Sequence, residues 1–266
     1  MKDNSNNQWS HTHNQKVWDE LSNMDCEWSK PVSAEVIHNA RNGKWDVRLM
    51  HDPLPEGWLP DVKNLKILCL ASAGGQQAAV LAAAGAEVTV FDISDNQLDK
   101  DRMVAERDHL DLKIVQGDMR DLSAFPNEFF DCIFNPVSNL YIPYVQPVWN
   151  ESYRVLKNGG RLLSSFYNPV LFVGDRDPEY TKKGLIKPRY KIPFSDLTDH
   201  DEETIRLKKE KNQALTFGHS LSQLINGQLE AGFMLKGFHE SSSPVSRFLI
   251  EDYIPGFLAT YAVKYE

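Results

Sequence analysis

Apolar and polar positions alternate along this chain in blocks of two lengths. Short apolar runs of strand length fall at 67–70, 87–91, 112–116, 129–134 and 161–166, and two more follow at 233–239 and 257–265. Between the first five lie stretches with helical spacing. Residues 76–84 form an alanine-rich run closed by Gly85, which takes the left-handed conformation of a helix cap. Ser94-Asp95-Asn96-Gln97 reads as a capping box opening a helix to about residue 110. From Pro147, the positions Val148, Trp149, Tyr153, Val155 and Leu156 predict a helix stopped by Asn158-Gly159-Gly160. Apolar strands alternating with helices predict a parallel sheet covered on both faces, an α/β fold.

Both flanks of this core break the pattern. Residues 1–12 are polar and rich in Asn, and are expected to fray. Val17, Trp18, Leu21 and Met24 then recur at helical spacing over 15–24. A second short helix follows Pro31, with Ser33 as N-cap, Val36, Ile37 and Ala40 on its buried side, and Gly43 as its stop. Pro53, Pro55 and Pro60 make a stiff connector. After Tyr167, residues 168–216 hold four prolines and a charged run over 199–211, so they read as an insertion after the fifth strand. Ser220 and Gln223 form another capping box, with Leu221, Leu224, Ile225 and Leu229 on one helix face and Gly232 at its end. The chain thus divides into an N-terminal helical extension, 1–62, and a domain, 63–266, carrying the insertion.

Composition narrows the function classes. The chain has 266 residues, 41% hydrophobic and 25% charged, as in ordinary globular domains. No apolar run approaches the ~20 residues needed to cross a bilayer, and the N-terminal residues lack a secretory pattern, so a cytoplasmic location is expected. The net charge of −8 argues against nucleic acid as substrate. Cys26, Cys69 and Cys132 have no metal-ligand spacing, and His11 and His13 read as a solvated pair, so no metal site is expected. Nothing in the sequence specifies an oligomeric state.

The chemistry concentrates in residues 65–94. A strand gives way to the small-residue turn Ala71, Ser72, Ala73, Gly74 and Gly75, then to a helix and a second strand ending at Asp92. Small residues let a ligand approach the backbone, and an acid at the second strand tip can accept two hydrogen bonds from vicinal ribose hydroxyls. The stretch therefore predicts a nucleoside-containing cofactor.

Five features in order, ILCLASAGG, VTVFDIS, GDMRDL, FDCIFNPVSN and RVLKNGGRLLSSF, resemble the class I S-adenosylmethionine-dependent methyltransferases. The resemblance spans 65–166 and then 220 to the C-terminus. It implies a Rossmann-like, seven-stranded, mostly parallel sheet with the last strand antiparallel, and S-adenosylmethionine as cofactor. It further implies that Ala71–Gly75 face the methionine part, Asp92 the ribose and Ile93 the adenine face. Asp118 then accepts the adenine amino group, Met119 lines the ring pocket, and Asn135 sits beside the sulfonium, with Gln97 and Pro136 completing the set.

The family commonly has an acid two residues before the first glycine, where this chain has Cys69, and Ala71 and Ala73 replace the first two glycines. Alanine lacks glycine's freedom at positive φ, so a differently shaped turn is expected. Gln76 and Gln77 are candidates to supply the lost polar contact. Asn135-Pro136-Val137-Ser138 is similar in part to the Asn-Pro-Pro-aromatic motif of amino-methylating nucleic-acid enzymes, without its second proline and aromatic.

Candidate acceptor-site residues are Trp18 and Trp28, as an aromatic lid, and Tyr141 and Tyr144 after the fourth strand. His219 is the candidate general base, since an imidazole titrates near neutral pH. The function expected is methyl transfer from S-adenosylmethionine to a nucleophilic atom of a small molecule. An NAD-dependent oxidoreductase and a non-catalytic S-adenosylmethionine-binding protein are the alternatives.

Overall fold

The apolar runs become the strands of one sheet. The computed structural model describes residues 2–24, 26–59 and 61–265, so Pro60 of the connector lies outside the described residues. The first strands are β1 (Lys66–Leu70), β2 (Glu87–Asp92), β3 (Leu112–Gln116), β4 (Phe130–Asn135) and β5 (Leu156–Tyr167). A two-residue pair joins β6 (Phe194–Ser195), in the insertion, to β7 (Phe217–Gly218), just after it, and the chain ends on β8 (Phe233–Ser241) and β9 (Phe257–Lys264). The main sheet has the order β3-β2-β1-β4-β5-β9-β8. β1 to β5 are parallel, with Leu68 opposite both Thr89 and Ile133, and β9 runs antiparallel to β5 and to β8. This is the class I methyltransferase arrangement expected from the sequence.

Helices cover both faces because each strand side is apolar. On one face α2 (Ala34–Arg41), α3 (Gln77–Ala83) and α4 (Asp95–Asp108) bury Ile37, Leu81, Leu98 and Val104 against Ile67, Val88 and Val90. On the other, α5 (Gln146–Val155) buries Val148 and Trp149 against Leu68, Ile133 and Leu162. Cys69 and Cys132 sit in this sheet as fully buried, unbonded thiols. The strand order reverses between β1 and β4, so the crevice above their carboxyl ends is where an open parallel sheet takes a ligand.

Several local expectations change. Within the expected frayed stretch 1–12, the described residues are helical, since α1 runs Lys2–Asn23. Tertiary contacts hold this polar helix. The Trp9 ring stacks on His13 under the Lys209 ammonium, and His13 Nε2 bonds the Gln213 carbonyl. The helix before β5 stops at Val155, and Asn158-Gly159-Gly160 join the strand, because Leu156 pairs with Phe130.

The Ser220–Gln223 capping box forms in both directions. A π-turn at Ser222–Asn226 then rotates the register, so Leu224 is buried while Leu221 and Leu229 point outward. The insertion carries α6 (Pro178–Lys182), α7 (Asp196–Asp199) and α8 (Glu202–Glu210), and packs Phe172 and Phe194 on Leu140, after β4, in a small separate core. Helix α9 (Gly227–Glu230) leads into β8. Among the described residues no helix is long and apolar enough to cross a membrane.

Candidate active site

Across the carboxyl ends of β3, β2, β1 and β4 lies one cavity of about 410 Å³. Strand order lays out its walls. Asp118 and Met119 follow β3, Asp92 and Ile93 end β2, Ala71, Ser72 and Ala73 follow β1, and Pro136 follows β4. Gln76, Gln77, Gln97, Trp18, Trp28 and Tyr141 line it too.

The turn after β1 keeps the backbone shape that glycines give. Ala71 has φ of +47° and Ala73 of +68°, both left-handed, and Ala71 N–H donates to the Phe91 carbonyl. The expectation of a differently shaped turn is therefore corrected. The alanines accept the strained conformation, at about 1–2 kcal/mol each. Gly74 and Gly75 do not line the cavity. Their N–H groups donate to Gln97 Oε1 and Asp101 Oδ1, both at 2.9 Å. A Cβ on Gly74 would stand 2.4 Å from the Gln97 carbonyl oxygen, so glycine there serves the close approach of α4 rather than of a ligand. Between the alanines, Ser72 is buried at the cavity wall and its Oγ has no partner among the described residues.

Gln97 also departs from its expected role. Its N–H caps onto Ser94 Oγ, but its side chain bridges Gly74 to Ser29 Oγ, with the latter bond at 2.6 Å. Gln76 Nε2 donates to the Lys30 carbonyl, and Gln77 Oε1 accepts from Arg48 N–H. Both glutamines therefore fasten the N-terminal segment to the cavity wall. Asp101, buried behind the turn, has its carboxyl pushed up to about 8 by loss of solvent, partly offset by the Gly75 N–H.

Asp92 is half-buried, and Oδ1 accepts from Ser94 N–H at 2.9 Å. Desolvation pushes its carboxyl up to about 6, against the pull of the Ser94 and Ile93 N–H groups, with a further rise from Asp19. At the other acid, Asp118 takes the Arg120 guanidinium on both oxygens and lies 3.2 Å from His11 Nε2. Burial lowers the His11 pKa, the Asp118 charge opposes this, and Arg120 adds to it, so near neutrality the imidazole is a neutral donor.

Helix α1 closes the cavity with one stripe, His11, Asn14 and Trp18. Asn14 is 3% exposed and fixed by three bonds. It donates to the carbonyls of Tyr141 and Leu215 and accepts from Leu215 N–H. Further along, Asp19 accepts from Ser94 Oγ at 2.6 Å at the head of α4. Beyond Pro136 the walls are aromatic. Trp18 meets Tyr141 edge-on at 5.0 Å, and Trp28, His51, Phe257 and Tyr167 form a chain of edge contacts.

Besides Gly74 and Gly75, three expected residues lie elsewhere. Asn135 is fully buried behind the cavity, donating to the Leu70 carbonyl and Ser138 Oγ and accepting from Ser164 Oγ, so it braces the ends of β1, β4 and β5. His219 is 5% exposed and bonded at 3.0 Å to the Asn139 carbonyl, with its pKa lowered by burial, and it does not reach the cavity. Tyr144 is largely exposed and also stands outside. Conversely, the cavity recruits His11, Asn14, Arg48, His51, Tyr167 and Phe257. Of these, only the two strand ends, Tyr167 before the break and Phe257 opening the last run, carried a positional signal.

A family model described as a methyltransferase domain matches residues 68–164. The chain is 47% identical over 254 residues to the uncharacterized methyltransferase YbaJ of Bacillus subtilis, covering 95% of this chain and 97% of that one. Among solved structures it is similar to an S-adenosylmethionine-dependent methyltransferase from Mesorhizobium loti, with a TM-score of 0.60, 19% identity, and 78% and 94% of the two chains covered. A second, from Listeria monocytogenes, matches with a TM-score of 0.56 at 19% identity over 79% and 95% of the chains.

Proposed function

We infer the function of this chain from its membership: it belongs to the class I S-adenosylmethionine-dependent methyltransferases, and its cofactor is S-adenosylmethionine. The dinucleotide oxidoreductase and non-catalytic readings are thereby set aside. Within the family, we propose that its acceptor is a small molecule held in the aromatic half of the cavity. One observation carries this. A single chamber of about 410 Å³ joins an acidic end at Asp92 and Asp118 to an aromatic end at Trp18, Tyr141, Tyr167 and Phe257. Chambers of this size, with a helix over one side, suit small ligands.

The residues present fit the cofactor. Ser72 Oγ is a buried hydroxyl without a partner at the turn, and Asp92 is a desolvated acid facing the cavity. Bound there, S-adenosylmethionine supplies a methyl group activated by its sulfonium for in-line displacement. In our reading Asp92 accepts the ribose hydroxyls, Ile93 and Met119 enclose the adenine, and Asp118, steadied by Arg120, accepts the adenine amino group. Ala71, Ser72 and Ala73 bound the methionine part. Trp18 and Tyr141 exclude water where the methyl group leaves, so positioning and desolvation supply most of the rate. Helix α1 serves as the lid, and the insertion contributes through the Asn14–Leu215 bonds that hold α1 down.

The test uses cell extract and methyl-labelled S-adenosylmethionine. Label passing from S-adenosylmethionine to another low-molecular-weight compound, separated from the cofactor by chromatography, only when the protein is added supports the reading. Label confined to protein or nucleic acid contradicts it.

A further inference from the structure

Cys69 occupies the position where related enzymes commonly carry an acid, next to the turn assigned to the amino-acid end of the cofactor. Here that position is fully buried, and burial raises the thiol pKa well above its ordinary value, so it holds no negative charge. The amino-acid end of the cavity has lost its anion. It carries a cation. Arg48 lines the same wall as Ser72, Gln76 and Gln77, and its backbone N–H is pinned at 3.0 Å by Gln77 Oε1 in the first turn of α3.

The guanidinium is oriented. Nε donates to Asp46 Oδ2 at 2.7 Å and Nη1 to the His51 carbonyl at 2.8 Å, while Nη2 has no partner among the described residues. Leu49, next in sequence, accepts from Ser165 Oγ at 2.6 Å, so the 48–51 strip is stretched between α3 and β5. A guanidinium fork fixed on one side and open on the other is suited to a carboxylate. The other arginine lining the cavity, Arg120, is committed to Asp118 at the opposite end.

We propose that Arg48 clamps the carboxylate of the cofactor's amino-acid moiety, so that this enzyme selects its cofactor by the carboxylate and not by the ammonium. The inference rests on the cofactor reading above and reassigns the contact expected of Gln76 and Gln77, which are occupied in fastening the N-terminal segment.

Calorimetry with three ligands tests it on the intact protein: S-adenosylhomocysteine, its decarboxylated analogue and its deaminated analogue. Removing the carboxylate is expected to weaken binding about tenfold or more, as loss of a charge-assisted hydrogen bond does, and removing the amine less than about threefold. Arg48→Gln should weaken S-adenosylhomocysteine by the same factor while leaving the decarboxylated analogue unchanged. A purely structural role would weaken all three ligands alike. Equal losses in Arg48→Gln, or a wild-type preference set by the amine, overturn the proposal while leaving the cofactor site intact. Failure of S-adenosylhomocysteine to bind at all overturns both.

Discussion

Replacing Asp92 with asparagine should make the protein more stable and its cofactor binding weaker. In the folded chain the Asp92 carboxyl is raised from 3.8 to about 6 because burial penalises its charge. Between those values the folded state holds a proton that the unfolded state has released. The contribution of this group to stability is therefore greatest at acid pH, declines from about pH 4 to about pH 6, and is flat above. At pH 7–8 the charged, desolvated carboxylate costs at most about 3 kcal/mol, taking 1.36 kcal/mol per pKa unit. Asparagine removes the charge while its Oδ1 can still accept from Ser94 N–H, so Asp92→Asn should raise the melting temperature by several degrees at pH 7.5. The gain should shrink as the pH falls toward 4. The same variant should bind S-adenosylhomocysteine at least tenfold more weakly, because an ionised carboxylate accepts from both ribose hydroxyls and an amide from only one. Thermal scans at pH 4.5, 6 and 7.5, paired with calorimetry, read both effects. A variant less stable than wild type at pH 7.5 would refute the desolvation argument, and unchanged affinity would refute the ribose assignment.

Ala71→Gly and Ala73→Gly should each stabilise the protein by about 0.5–1 kcal/mol, the relief of left-handed strain less the added chain entropy, measured by urea unfolding. Asn14→Ala breaks three buried bonds between α1 and the chain at Tyr141 and Leu215, and should speed amide exchange in α1 at least tenfold while β1 and β4 stay protected. Asn135→Ala should cost about 2–4 kcal/mol of stability, because it strips partners from Leu70, Ser138 and Ser164; activity per folded molecule at low temperature should remain within a few-fold. Loss of turnover without loss of stability in that variant would return Asn135 to the chemistry.

The sheet was legible because each of its strands is an apolar run with a physical stop. The run at 112–116 appears unchanged as β3, and the runs ending near Asp92 and Asn135 put those residues at strand tips. Asp92 followed from that placement, and Asp118 from the family resemblance. The lid of the site followed only in part. Val17, Trp18 and Leu21 gave the second half of α1, but the first half is held by side chain to backbone bonds about 200 residues apart in sequence, such as Asn14 to Leu215, which leave no apolar periodicity to read. The 48–51 strip is likewise positioned by Gln77 and Ser165 rather than by its own pattern. His219 and Asn135 misled for the opposite reason: strand-end polar residues look functional until the structure shows their hydrogen bonds already filled from within the fold.

A crystal structure with S-adenosylhomocysteine tests the central claim most directly. The ribose hydroxyls should lie on Asp92, and the free side of the sulfur should face the chamber walled by Trp18, Tyr141, Tyr167 and Phe257, with helix α1 closed over both. A ligand whose sulfur faces bulk solvent, or one bound outside this cavity, would contradict the account.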